Sequence, residues 1–276
     1  MSRKQPIGVF DSGYGGLTIL ADLQQLLPAY DFLYLGDNAR APYGSRSFEV
    51  VYEFTLEAVE YLFAQGCELV VLACNTASAK ALRTIQQKVL PVKYPGKRVL
   101  GVIRPSTESI GGFSETNHIG ILATDGTIKS ESYLIEIAKF SPQTTVHQLA
   151  CPIWVPLIEN NKHETEGGKL LIQADIETLL AKNPAIDVIL LACTHYPILK
   201  DFIESIVPET VKIVSQGWLI AEKLKDYLAR HPAIERMCSK HGETHYLTTE
   251  NAADFEVNAS RFLGKSISAE HVKITH

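Results

Sequence analysis

LVVLACNTAS at residues 69–78 and VILLACTHYP at residues 188–197 are near-copies of one short stretch, and they decide the fold. Each is an apolar run that stops at Ala-Cys followed by Asn or Thr. Such a run, ending abruptly at small polar residues, is typical of a buried parallel strand. Because ligands bind beyond the carboxyl ends of such strands, we expect Cys74 and Cys193 at equivalent strand ends, each followed by a helix. The repeat therefore predicts two half-sites that face one ligand.

Outside the two cysteine strands, the chain alternates short apolar runs with amphipathic segments. This β-α order predicts parallel sheets with helices on both faces. Ser47 is expected to cap a long helix that ends at Gln65, whereas residues 151–159, an apolar stretch with two prolines, are expected to form a loop. A domain boundary is expected near residue 97. Further strands are expected at residues 6–10, 32–35, 99–103, 118–123, 145–149 and 212–214, and further helices at residues 18–27, 76–90, 128–140, 166–181, 197–206 and 217–230.

The composition is that of an ordinary globular protein, with 46% hydrophobic and 21% charged residues among 276. The net charge of −5 comes without any basic run, which argues against a nucleic-acid-binding surface. No apolar stretch approaches the roughly 18 residues of a membrane span, and no signal segment is expected. Five cysteines without a CxxC spacing predict free thiols in a reduced cytoplasm.

The two strand-end cysteines can serve three kinds of chemistry: a redox disulfide, a metal site, or an acid and a base on opposite faces of a substrate. A redox pair usually has CxxC-like spacing, and a metal needs further ligands, of which His195 is the only nearby imidazole in sequence. An opposed acid and base is the arrangement that needs two symmetric strand ends, and it inverts a stereocentre. The helix start after each cysteine is expected to lower the pKa of its thiol. Cys67, Cys151 and Cys238 lack that setting and are expected to be structural, although the loop of Cys151 is expected to line the site.

Three further residues are candidates for holding or moving protons. Asp11 ends the first strand and is expected to project into the same crevice as Cys74, and His195 closely follows Cys193. An acid and an imidazole beside thiols can relay protons and set thiol pKa values. The plainer alternatives are a helix N-cap for Asp11 and a satisfied helix-start histidine for His195. For Glu159, at the end of an apolar segment, the residues alone favour a solvated helix-end acid.

The glycine-rich DSGYGG at residues 11–16 is similar to a phosphate cradle, but it matches neither GxGxxG nor GxxxxGK[ST]. With no lysine in this loop and no acid placed to bind a ribose, a nucleotide site is not expected. Short neutral donors instead follow several strands, and with backbone N–H groups at helix starts they suit a small anion such as a carboxylate. These donors are Ser12, Asn75, Thr76, Thr124 and Thr194.

Taken together, several segments resemble the glutamate racemases of the aspartate/glutamate racemase family. The resemblance covers nearly the full length, in order, and its independent motifs make it specific. Aspartate racemases and similar cofactor-independent isomerases share the two-cysteine plan but less of DSGxGG and PYG. The matching segments are GVFDSGYGGLT (8–18), YLGDNARAPYG (34–44), ACNTAS (73–78), TDGT (124–127), LACTHYP (191–197) and the RFLG near residue 261.

That resemblance implies an α/β protein of two flavodoxin-like domains, each a doubly wound parallel sheet, related by pseudo-symmetry with the substrate between them. The first domain would comprise residues 1–97 and 208–276 and carry Cys74. The second would comprise residues 98–207 and carry Cys193.

The resemblance also implies the reaction, in which L- and D-glutamate interconvert without pyridoxal phosphate, metal or any other cofactor. Cys74 would take the α-proton from D-glutamate, and Cys193 would take it from L-glutamate. The assisting acid, imidazole and second acid would be Asp11, His195 and Glu159. Positions that match substrate-binding residues of the family are Ser12, Tyr43, Gly44, Asn75, Thr76 and Thr194, to which the strand-end pattern adds Asp11, Thr124 and His195.

D-glutamate would supply peptidoglycan, and with it cell-wall biogenesis and cell shape, and the enzyme would be a cytoplasmic homodimer. One departure from the family pattern is Arg104, in GVIRP where many members have GVIEP; it lies outside the catalytic motifs. Three alternatives remain open: a racemase for aspartate or another small acid, a non-catalytic amino-acid-binding protein on the same scaffold, and a thiol redox protein with a disulfide between Cys74 and Cys193.

Overall fold

Strands and helices alternate along the computed structural model, which describes residues 5–274. All strand pairs within its two sheets are parallel, so the predicted α/β class with parallel sheets is confirmed. The strands are β1 (Ile7–Asp11), β2 (Phe32–Gly36), β3 (Leu69–Leu72), β4 (Arg98–Gly101), β5 (His118–Ala123), β6 (Thr145–Ala150), β7 (Val188–Ala192), β8 (Lys212–Ser215), β9 (Thr244–Thr248) and β10 (Ala269–His271).

The two sheets repeat one strand order. The larger sheet runs β10-β9-β2-β1-β3-β4, and the smaller runs β6-β5-β7-β8. In each, the first strand of its unit lies between the second and the third, which is the beginning of the flavodoxin-like order. The order therefore makes β3 and β7 equivalent strands. We call the six-stranded sheet with its helices the first unit and the four-stranded sheet with its helices the second unit.

Helices cover both faces of each sheet. In the first unit, one core lies under α1, α12 and α14, and another lies under α2 and α3; in the second unit, separate cores lie under α6 and α8 and under α9, α10 and α11. The helices are α1 (Gly16–Leu26), α2 (Phe48–Ala64), α3 (Asn75–Lys80), α4 (Leu82–Thr84), α5 (Leu90–Lys93), α6 (Ile103–Ile110), α7 (Asp125–Lys129), α8 (Ser132–Phe140), α9 (Trp154–Glu159), α10 (Glu166–Leu180), α11 (Lys200–Ile206), α12 (Gly217–Arg230), α13 (Pro232–Glu235) and α14 (Ala252–Leu263), with a π-helical turn at Ile85–Val89 and 3-10 turns at Asn38–Arg40, Gly111–Phe113, Lys162–Glu164 and Tyr196–Leu199.

Burial explains why the two cysteine strands read as unbroken apolar runs. Every residue of β3 and β7 is buried, because each strand has a neighbour on both sides and helices on both faces. Each buried Val, Leu or Ile side chain contributes about 1.5–3 kcal/mol relative to exposure. These central strands therefore hold the residues that follow them, Cys74 and Cys193, at the fully buried centre of each unit.

Sheet membership places the change of unit later than the sequence suggests. Strand β4 pairs with β3 in the first unit, and β8 pairs with β7 in the second. The chain therefore crosses to the second unit after Gly101 and returns after Ser215, rather than near residues 97 and 207. Within residues 5–274, no helix is both long and apolar enough to cross a membrane.

Proline accounts for three local differences from the expected elements. The strand expected at residues 99–103 ends at Gly101, and α6 begins at Ile103 with Pro105 in its first turn. The loop expected at residues 151–159 contains α9, with Pro156 in its first turn. The helix expected to end at residue 90 is followed by α5, which has Pro91 at its start. Proline is tolerated in a first turn because the missing N–H has no partner there. The predicted cap is confirmed: the Ser47 hydroxyl accepts a hydrogen bond from the N–H of Val50 at 3.3 Å.

Candidate active site

A cavity of about 80 Å³ lies where the carboxyl ends of the two sheets face each other. A single water needs about 10–15 Å³ on this measure, so the space suits a small metabolite and not a nucleotide. Both units contribute to its wall. The sequence-predicted residues that line it are Ser12, Tyr43, Gly44, Cys74, Asn75, Thr76, Thr124, Glu159, Cys193, Thr194 and His195.

Asp11 is the one predicted site residue outside the cavity wall. It ends β1 and is completely buried. Its carboxylate accepts a hydrogen bond from the N–H of Gly13 at 2.9 Å and another from the Thr194 hydroxyl at 3.3 Å. Burial raises its pKa, an effect that the charge of His195 and these hydrogen bonds oppose. The expectation that Asp11 projects into the crevice is therefore wrong: its carboxylate lies behind the wall, where it is bonded to Thr194.

Cys74 follows β3 and caps α3. Its sulfur accepts the N–H of Ala77 at 3.5 Å, and its S–H lies 3.5 Å from the Ser12 hydroxyl oxygen, which accepts it. Burial, followed by the charge of Asp11, raises the pKa of Cys74 to about 12. The expectation that the helix start lowers this pKa is wrong, because desolvation and a buried acid outweigh one weak N–H···S contact. Cys74 is therefore a protonated thiol at neutral pH.

Cys193 follows β7 and lies beside an imidazole. His195 donates from Nε2 to Oε1 of Glu159 across 2.9 Å. Burial lowers the pKa of His195, but hydrogen bonds and charges of Cys193 and Glu159 outweigh burial and raise it to about 10. His195 is therefore an imidazolium at neutral pH, the kind of neighbour that stabilises a thiolate.

Glu159 takes part in this charged group because α9 ends at it and directs it toward His195. The Glu159 side chain is 27% exposed, and the side chain of its partner His195 is 6% exposed. The interpretation of Glu159 as a solvated helix-end acid is therefore wrong, since its carboxylate is bound to a buried cation.

Hydroxyl groups from the two units meet at one side of the cavity. Thr76 lies in the first turn of α3 and Thr124 caps α7, and their hydroxyl oxygens lie 2.9 Å apart. Tyr43 is buried and donates its hydroxyl to Asp37, so its ring and not its O–H is left to line the wall. Within residues 5–274, neither lysine nor arginine lines the cavity.

The glycines of DSGYGG and PYG allow the two units to come close together. A Cβ on Gly15 would lie 2.3 Å from the Thr194 hydroxyl oxygen and 2.4 Å from Nδ1 of His195. A Cβ on Gly44 would lie 2.9 Å from Cβ of Thr124, and the carbonyl of Gly44 accepts the N–H of Gly126 at 2.8 Å. The glycine-rich motif is thus required for contact with the opposite half-site.

Sequence reasoning missed the residues that hold Asn75 in place. The Asn75 side chain bonds to Gln216 and Tyr133, both buried and both distant in sequence. No local pattern marks either residue, because each is an ordinary core position of its own element.

All five cysteines are free and buried. The charge of Cys193 contributes to the raised pKa of Cys74, which means that the two thiols share one electrostatic environment. Within the described part of the chain, no group of three or more His, Cys, Asp or Glu side chains could hold a metal ion. The arrangement can supply a thiol proton from Cys74 of one unit, and it places Cys193 of the other unit beside an imidazolium.

Known proteins resemble this chain over nearly its whole length. The profile of the Asp/Glu/Hydantoin racemase family matches residues 7–224. A glutamate racemase of Ruegeria sp. is 39% identical over 274 residues, covering 96% of this chain and 98% of that protein. A glutamate racemase of Bacillus anthracis has a TM-score of 0.88 at 32% identity, covering 98% of this chain and 97% of that structure. A glutamate racemase of Francisella tularensis, solved with D-glutamate, has a TM-score of 0.86 at 30% identity, with 98% of each chain covered.

Proposed function

The chain belongs to the Asp/Glu/Hydantoin racemase family, and from that premise we propose that it interconverts L- and D-glutamate with two thiols as acid and base. The observation that carries the proposal is the pair of buried free thiols at equivalent strand ends, Cys74 and Cys193, on one cavity. The substrate follows from the glutamate racemases that this chain resembles, one of which was solved with D-glutamate.

The electrostatic difference between the half-sites sets the order of proton transfer. The thiolate of Cys193, stabilised by the imidazolium of His195, removes the α-proton of L-glutamate. The electron pair left at Cα delocalises into the α-carboxylate, and the thiol of Cys74 donates its proton to the opposite face. D-glutamate forms, leaving Cys74 as thiolate and Cys193 as thiol. The reverse reaction starts from that state and restores the first.

Neutral donors hold the two carboxylates. The hydroxyls of Ser12, Thr76, Thr124 and Thr194 and the amide of Asn75 surround the space between the thiols. Hydrogen bonds to an ionised acceptor contribute about 1.5–3 kcal/mol each. Neither lysine nor arginine is among the described residues that line the cavity. The two carboxylates of glutamate are therefore bound by these donors and by His195.

Racemisation in deuterated water tests the proposal. Purified, metal-stripped protein is incubated with L-glutamate without pyridoxal phosphate, and the α-deuterium of each enantiomer is followed. Early D-product that carries deuterium, while the remaining L-substrate keeps its proton, is the expected result for two distinct bases. Deuterium appearing equally in both enantiomers from the start would contradict two bases, and glutamate that stays inert would contradict the function. The same assay with aspartate distinguishes a related racemase.

We further infer that the D-glutamate made by this reaction supplies peptidoglycan synthesis, because a D-amino acid needs a dedicated source and a dedicated consumer. The homodimer and the cytoplasmic location stay predictions.

A further inference from the structure

Three buried side chains form a closed ring of hydrogen bonds at the inner end of the cavity. Asn75 donates from Nδ2 to Oε1 of Gln216 at 2.7 Å. Gln216 donates from Nε2 to the hydroxyl of Tyr133 at 2.7 Å. Tyr133 donates that hydroxyl proton to Oδ1 of Asn75 at 2.6 Å. Each member thus donates to the next in one direction, an arrangement in which the bonds strengthen one another.

The donors of Gln216 and Ser106 next to the ring also have fixed acceptors. The second N–H of Gln216 goes to the hydroxyl of Ser106 at 2.7 Å, and Ser106 donates to the carbonyl of Val102 at 2.8 Å. Burial raises the pKa of Tyr133 well above its ordinary value, so its O–H stays a donor at any working pH. No member can reverse its role without leaving a buried polar atom unpaired, which costs about 1–3 kcal/mol.

The ring determines which way the amide of Asn75 faces. A rotated amide would place oxygen against the Gln216 oxygen and NH₂ against the Tyr133 hydroxyl proton. In the observed orientation, one N–H and one oxygen lone pair of Asn75 are used by the ring. The second N–H remains for a ligand in the cavity, which Asn75 lines directly after Cys74.

The ring also ties the cavity to both points where the chain changes unit. Asn75 starts α3 of the first unit, and Tyr133 lies in α8 of the second. Gln216 follows β8, at the return crossing, and Ser106 lies in α6, just after the outward crossing. A change in the angle between the units must therefore stretch or break a bond that orients Asn75.

We propose that Tyr133 and Gln216 are positioning residues, which lock the amide of Asn75 so that its free N–H binds a carboxylate oxygen of the substrate beside Cys74. The proposal rests on the proposed function, since it assigns the substrate group that this amide meets. Tyr133 and Gln216 bond to Asn75 and are not among the residues that line the cavity, so we expect their effect on the reaction to pass through Asn75 and the substrate affinity.

Tyr133→Phe tests the lock by removing one oxygen atom. Without the phenol, the Asn75 amide is free to rotate and present its oxygen to the substrate carboxylate. We expect KM for both enantiomers to rise about tenfold with kcat changed less than about threefold, the signature of a lost ground-state contact. In an Asn75→Ala background, where no amide remains to be oriented, Tyr133→Phe should leave KM unchanged. KM and kcat are measured by circular dichroism, and Tm by calorimetry.

Tyr246→Phe is the matched control, since its hydroxyl accepts from Gln24 at 3.3 Å, outside the cavity. It should keep wild-type KM whatever happens to Tm. If Tyr133→Phe lowers Tm but keeps wild-type KM, or raises KM equally with and without Asn75, the positioning role is overturned while racemisation by the wild type upholds the function. A wild type inert toward glutamate overturns the function and, with it, this role.

Discussion

The Cys74 and Cys193 half-sites share a topology but differ in charge. Each cysteine follows the equivalent central strand of its unit, and each is almost fully buried. Burial, followed by the charge of the buried acid Asp11, raises the pKa of Cys74 to about 12, and the hydrogen bond with the Ser12 hydroxyl opposes this rise only in part. Cys193 has the imidazolium of His195 nearby, and the pKa of that imidazole is about 10.

The difference teaches that a symmetric fold need not give two identical bases. At neutral pH the Cys74 thiol keeps its proton, because its pKa is raised to about 12, and the imidazolium of His195 places a positive charge beside Cys193. Under the proposed mechanism, this difference in charge favours L-glutamate as the first substrate of the free enzyme. The following experiments would break or sharpen this contrast, beginning with the largest expected effect.

Removing either thiol should abolish racemisation but leave exchange on one face. Cys74→Ser and Cys193→Ser are each expected to lower kcat by at least about 10³-fold, as for loss of a general acid or base. Cys74→Ser should still exchange the α-proton of L-glutamate for deuterium, and Cys193→Ser only that of D-glutamate. Proton NMR of each enantiomer measures this, with Cys238→Ser as a buried-thiol control. Exchange of both enantiomers by one variant would refute separate bases.

Replacing the imidazolium should weaken the Cys193 half-site. His195→Gln is expected to lower kcat/KM about 100-fold. Because the equilibrium constant between enantiomers is one, kcat/KM must fall equally in both directions. The asymmetry should appear instead as an α-deuterium isotope effect that grows for L-glutamate more than for D-glutamate. His147→Gln, in β6, is the control. Equal growth for the two enantiomers would contradict the assignment of His195 to Cys193.

The thiols should differ in reactivity before any substrate is added. At pH 8, iodoacetamide should alkylate Cys193 at least about tenfold faster than Cys74, because only a thiolate reacts and burial raises the pKa of Cys74 to about 12. Peptide mass spectrometry after brief exposure gives the ratio. Faster labelling of Cys74 would reverse the assignment of the resting state.

The smallest expected effect concerns pH and Glu159. The pKa of His195 is raised to about 10, so the imidazolium persists through neutral pH and is lost as pH rises through that value. Wild-type kcat/KM should therefore be level from pH 7 to about 9 and fall above about 10. Glu159→Gln removes a charge that raises this pKa, so the fall should begin at lower pH, with about a fivefold loss at neutral pH.

Glu164→Gln is the matched control for that profile, since Glu164 is 80% exposed and lies 4.0 Å from His163. Its profile should match the wild type. An unchanged alkaline limb in Glu159→Gln would show that this carboxylate does not set the charge of His195.

The two half-sites could be found from the sequence because a buried strand appears there as a local run of apolar residues. An apolar run that ends at a cysteine reports a buried strand and its end without any knowledge of distant residues. The predicted site residues accordingly meet at one cavity, with Asp11 behind its wall.

The charge states could not be predicted in that way, because the groups that set them come from separate segments. His195 and Glu159 are 36 residues apart, and Asn75 and Gln216 are 141 residues apart. The helix start at Cys74 is visible in the sequence, whereas the burial that overrides it depends on the packing of both units. Proline misled the assignment of α9 for a simpler reason: Pro156 lies in the first turn of that helix, where proline does not break a helix.

The strand order also has a consequence for how the polypeptide is made. Strand β2 reaches its full set of neighbours only when β9, at Thr244–Thr248, has been added, and β9 in turn pairs with β10. The four strands of the second unit are contiguous in the chain and need no later partner. On the ribosome, the inserted unit can thus be completed while the unit synthesised before it still has an open edge. Nascent chains usually fold from the N-terminus onward. Here the second unit, in the middle of the chain, is the first that can complete its sheet.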